Sequence, residues 1–73
     1  MASFYRAQRL AFTNLRGILE NAQKEKRELS IPLLIITLTE KFDVSEKAIL
    51  KRIKLLNNML QDMIVEEEVI RWD

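Results

Sequence analysis

The chain has no cysteine and no histidine among its 73 residues. Those absences remove disulfide frameworks, thiolate nucleophiles, imidazole general bases and zinc sites built from Cys or His ligands. Its single glycine, Gly17, sits in an apolar context. A loop that cradles phosphate with backbone amides needs a run of glycines, so nucleotide hydrolysis is not expected either. The expectation is a binding protein rather than an enzyme, with no catalytic residue, metal site or cofactor. The longest stretch without a charge, Leu29 to Thr39, is far too short to cross a bilayer, and no signal-peptide core lies near the N-terminus. A cytoplasmic protein with no membrane contact is expected.

Length allows one domain, residues 1–73. A core of this size supplies roughly 3 to 5 kcal/mol unless a disulfide, a metal or a partner subunit adds to it. Two of those three aids are missing, so a homodimer is expected, because pairing two chains buries apolar surface that one chain cannot hide.

What is present is helical periodicity. From Ser3, a candidate N-cap, to about Arg27, one stripe carries Phe4, Ala7, Ala11, Leu15, Ile18 and Ala22, widened by Phe12 and Leu19. Residues 1–28 therefore read as a long amphipathic helix. Its stripe is longer than a three-helix domain would cover, which makes Phe4, Ala11, Phe12, Leu15, Ile18 and Leu19 the expected dimer surface. Within this helix, Met1 to Arg16 carries Arg6, Arg9 and Arg16 without an acid, as a mitochondrial presequence would. Removing it would strip Phe4, Leu10, Phe12 and Leu15 from a chain short of core, so a retained helix is the better account.

Ser30-Ile31-Pro32 opens a second helix, with Ser30 as N-cap and Pro32 in the first turn, where its missing amide proton costs nothing. Leu33, Leu34, Ile35, Ile36 and Leu38 make this helix apolar nearly all round, so it is expected to be the most buried element. Ser45 caps a third helix with Ile49, Ile53, Leu56 and Leu60 on one stripe, ending near Gln61-Asp62. Residues 62–73 combine β-branched and aromatic side chains around Glu66-Glu67-Glu68 and suit a short strand or hairpin. A continuation of the third helix to the C-terminus competes, since Met63 and Ile70 keep its phase and neither Gly nor Pro interrupts it. The fold class expected is mainly α with a small β element.

The segment Leu38 to Ile53 places Phe42 before a tight turn, then Val44 and Ser45, Ile49 four residues on, and the pair Arg52-Ile53. In this pattern it resembles the helix-turn-helix of winged-helix DNA-binding regulators of the small archaeal or viral type, over about residues 29–73. The spacing has a physical reason: Val44 plugs the corner between the helices, and Ser45 caps the second at a fixed angle. The resemblance implies residues 29–61 as the helix-turn-helix, Leu29 near a short first strand, and 62–73 as the wing. Many members carry Gly where this chain has Asp43, at a position that takes positive φ, and Asp accepts the left-handed region better than most residues.

Opposite the apolar stripe of the third helix lie Lys47, Lys51, Lys54 and Asn58, with Ser45 and Leu50 at the margin. These six are the candidate DNA-contacting residues: lysines neutralise phosphates, and Ser45 and Asn58 offer hydrogen bonds to backbone or base edges. No arginine stands ready for bidentate reading of guanine, and Arg52 lies toward the buried side, to snorkel or to pair with an acid. The tail opposes Asp62, Glu66, Glu67, Glu68 and Asp73 to Arg71 alone. The net charge of +1 conceals this asymmetry. Two functions follow as expectations: a small dimeric transcription regulator or architectural factor that binds double-stranded DNA through residues 45–60, or a protein-docking subunit that uses the acidic tail and the N-terminal stripe.

Overall fold

The computed structural model describes Ala2–Asp73, with side chains from Arg6 onward. The elements are α1 (Ala2–Glu25), β1 (Leu29–Ser30), α2 (Ile31–Lys41), α3 (Glu46–Met59), β2 (Met63–Val65) and β3 (Val69–Trp72). Three helices and a small three-stranded antiparallel sheet are thus present, and the continuous C-terminal helix is replaced by the β2–β3 hairpin. Ile64-Val65 and Val69-Ile70 carry two β-branched pairs, whose restricted side-chain rotation favours the pleated state.

α1 starts before Ser3, which lies in the first turn rather than capping it. The helix ends with Lys26 in the left-handed region at φ 50°. Arg27 N–H donates to Ala22 O at 2.9 Å, and Lys26 N–H to Gln23 O at 3.2 Å. These two bonds form a Schellman closure, satisfying carbonyls that the last turn would leave bare, with Lys where Gly is commonest.

Ser30 and Ser45 both cap as expected, their hydroxyls accepting from Leu33 N at 3.2 Å and Ala48 N at 3.1 Å. Between α2 and α3, Val44 N–H donates to Phe42 O at 2.9 Å, closing a three-residue turn around Asp43. Asp43 is not in the left-handed region, where Lys26 and Asp62 alone among the described non-glycine residues lie. An inverse γ-turn reverses the chain at negative φ, which is why no glycine is needed at Asp43.

In the sheet the order is β1-β3-β2, with Leu29 opposite Ile70, and Met63, Ile64 and Val65 opposite Trp72, Arg71 and Ile70. Side chains alternate along β3: Ile70 and Trp72 are buried and Arg71 is exposed. The Trp72 indole N–H donates to Arg27 O at 3.0 Å, tying the end of the sheet to the loop after α1. That bond settles Trp72 as a core residue with its one polar atom satisfied.

Ala11, Leu15, Leu19 and Ala22 of α1 share one core with Ile31, Leu34 and Leu38 of α2, Ile49, Ile53 and Leu56 of α3, and Met63, Ile70 and Trp72 of the sheet. Two expectations change here. α2 is not the most buried element: it buries the Ile31, Leu34 and Leu38 stripe, while Leu33 is 62% and Ile36 52% exposed. Its neighbours cover one face and leave the other to solvent. Nor are Ala11, Leu15 and Leu19 a surface for a second chain, because this chain's own core encloses them completely. Phe12 and Ile18 pack half-buried against that core, and the Phe4 side chain lies outside the described residues.

A Cβ built on Gly17 meets nothing within 4 Å, and the backbone there is not left-handed. Gly17→Ala is therefore expected to stabilise the chain by about 0.5 to 1 kcal/mol. Thermal unfolding checks this, since each kcal/mol moves the midpoint of a domain this size by about 4 to 8 °C. An unchanged or lowered midpoint would contradict the open space seen at this position.

Candidate nucleic-acid interface

α3 buries Ile49, Ile53 and Leu56, at spacings of four and three residues. At 3.6 residues per turn that stripe forces Lys47, Lys51, Lys54 and Asn58 to the far side, and all four are exposed. Leu50, at the margin, is 37% exposed. Ser45 is also exposed, and its oxygen is committed to the Ala48 amide, which leaves its hydroxyl hydrogen free to donate outward. Four of the six residues singled out in the sequence therefore share the outward side of α3, with Leu50 at its margin, whereas Ser45 precedes the helix as its cap. None of the lysines forms an ion pair among the described residues.

The flank of α3 toward α1 holds what the sequence did not reveal. Arg52 neither pairs with an acid nor reaches freely to water: its guanidinium lies over the Phe12 ring, 4.9 Å from the centroid. A cation over an aromatic face contributes about 0.5 to 2 kcal/mol, depending on desolvation. Arg52, Arg9 and Arg16 line one groove between the two helices. Phe12 and Arg52 are forty residues apart, and no short-range pattern announces such a pair.

The hairpin is electrostatically different. Glu28, Glu66, Glu67, Glu68 and Arg71 line one shallow depression. The Arg71 guanidinium donates to Glu66. This hydrogen bond first, and the Glu66 charge second, raise the Arg71 pKa above its ordinary value. The one cation of residues 62–73 is thus held by an acid of the same hairpin, and the hairpin turn presents negative charge. Two members of the polar run after α1 are likewise engaged: Arg27 pairs with Glu25 at 3.2 Å, and Lys26 Nζ donates to Asp73 O at 3.3 Å.

Compared with protein-family models, curated proteins and solved structures, the chain has no match. No helix of the described residues is long and apolar enough to cross a membrane.

The angle at which α3 leaves the turn depends on the Ser45 cap. Ser45→Ala is expected to cost about 1 kcal/mol of stability and Ser45→Gly only a few tenths. Denaturant unfolding of both variants checks this, and equal losses would remove the hydroxyl as the cause.

Proposed function

We propose that this chain binds double-stranded DNA with α3 in the major groove, acting as a small transcription regulator or architectural factor. The observation that carries the reading is the outward side of α3, where Lys47, Lys51, Lys54 and Asn58 are all exposed along about three helical turns. Lysines so placed neutralise phosphates on either edge of a groove, and Asn58 has the donor and acceptor that a base edge requires. Support also comes from the order of elements. A helix, a short strand, two helices joined by a tight turn and a hairpin make up the arrangement that the winged-helix resemblance implies. The acidic hairpin turn departs from a phosphate-gripping wing, so affinity rests on the helices, and with no arginine on the outward side of α3 the binding is tolerant of sequence.

In the triple variant Lys47→Ala, Lys51→Ala and Lys54→Ala, affinity for mixed-sequence duplex falls and the plot of log affinity against log salt flattens by about two to three units, near 0.9 for each phosphate that is no longer neutralised. Fluorescence anisotropy over a salt series measures both, and unchanged binding would remove this face from the reading.

A homodimer belongs to the same reading, with its contact moved from the enclosed stripe to the apolar surface that α1 still shows. Leu10 is 52% exposed and borders a recess with Ile18 and Phe42. Light scattering is expected to give twice the chain mass, and Leu10→Glu to give the monomer; a wild-type monomer at micromolar concentration would overturn the dimer.

A second reading, a protein-docking subunit, is favoured by the acidic depression and by Leu33 and Ile36 exposed on α2. Charge reversal of Glu66, Glu67 and Glu68 to Lys separates the two: DNA affinity rises if α3 grips DNA, whereas loss of partner capture without change in DNA affinity favours docking.

A further inference from the structure

The groove between α1 and α3 has its own chemistry. Arg52 enters it from α3, and Arg9, Arg16, Gln8 and Thr13 line it from α1. The Arg52 guanidinium is held over the Phe12 ring, 4.9 Å from its centroid. Its Nε is buried without a hydrogen-bond acceptor, and no carboxylate pairs with Arg52 or Arg9 among the described residues. Arg16 has only Glu20, 3.2 Å away in an exposed pair four residues along the helix, and such a contact is weak and exchangeable.

We propose that this groove is a phosphate-binding site, in which Arg9, Arg16 and Arg52 hold phosphodiester groups of the strand flanking the segment that α3 grips. The inference rests on the DNA-binding reading for the source of the phosphate, while the chemistry of the site stands apart from it. Guanidinium groups present planar, paired donors that match phosphate oxygens, and they remain charged at any working pH. A cation that is partly desolvated and lacks a counter-charge attracts an anion with less screening than an exposed lysine does. Gln8 and Thr13 add neutral donors on the α1 side.

Continuity with α3 favours nucleic acid over an acidic peptide. Lys51, from the outward side of α3, borders the next recess together with Phe12, Arg52 and Leu55. A backbone contacted by Lys51 therefore continues toward Arg52 without crossing an acidic surface. Among the described residues, Glu20, at the groove's C-terminal end along α1, is the only acid lining it.

The test follows the arginine Nε–Hε signals of the full chain by NMR while a short mixed-sequence duplex, inorganic phosphate and a polyglutamate peptide are added in separate titrations. The duplex is expected to move the Arg9, Arg16 and Arg52 signals together with the α3 amides. In parallel, Arg9→Gln with Arg16→Gln, both exposed positions, should weaken duplex binding by about tenfold and flatten the salt slope by about two units. Arg52→Gln should weaken it as well. If the duplex moves the α3 amides but leaves the three arginine signals and the double-variant affinity unchanged, the groove site is overturned while the α3 reading stands. If no duplex binds but inorganic phosphate still moves the three signals, the phosphate site stands and the DNA reading falls. Signals that answer to polyglutamate and not to phosphate would overturn the proposal in favour of an acidic protein partner.

Discussion

The central strand β3 is the piece on which the rest of the structure depends. It pairs with β1 on one side and β2 on the other, so it joins the segment after α1 to the segment after α3. Ile70 and Trp72 point from it into the core, and the Trp72 indole reaches Arg27 O. Ile31 N–H donates to Glu68 O at 2.9 Å, so the start of α2 is anchored to the hairpin as well. In a chain without disulfide or histidine, four residues of sheet thus do the closing that a covalent or metal staple performs in other domains of this size.

With that closure in place, the direction of α3 is fixed, and its charge pattern acquires meaning. A helix can bury one stripe only, so enclosing Ile49, Ile53 and Leu56 commits Lys47, Lys51, Lys54 and Asn58 to the opposite side. Burial by α3 also sets the flank, where Arg52 is neither interior nor free. The stacking of Arg52 on Phe12 joins the lysine face to α1, and the cations of two helices then border adjoining recesses.

Much of this was legible in the residues. Ser30 with Pro32, and Ser45 before Glu46, mark helix starts through local hydrogen bonding, and local signals survive folding. The hairpin was legible as a choice between strand and helix, which side-chain branching at Ile64, Val65, Val69 and Ile70 leaned toward strand. What escaped depends on the number of covering neighbours, a quantity that periodicity does not carry. α2 shows an apolar sequence on every side, yet Leu33 and Ile36 are left more than half exposed. α1 shows an apolar stripe that suited a second chain, yet α2, α3 and the sheet fill it from Ala11 onward. The turn at Asp43 looked like a place for positive φ, but a three-residue hydrogen-bonded reversal meets the same geometric need at negative φ. The Arg52 groove draws on residues far apart along the chain, and only the tertiary arrangement assembles it.

The separation of acids around the hairpin turn from cations on α3 and α1 has a consequence for motion as well as for contact. A body charged in this way is an electric dipole, and near any extended polyanion it feels a torque in addition to a force. Within about 10 Å at moderate ionic strength, before desolvation begins, that torque rotates the hairpin turn away and brings the helices to the front. Such a torque acts during approach, before any contact forms, and added salt erases it at concentrations too low to break a buried bond.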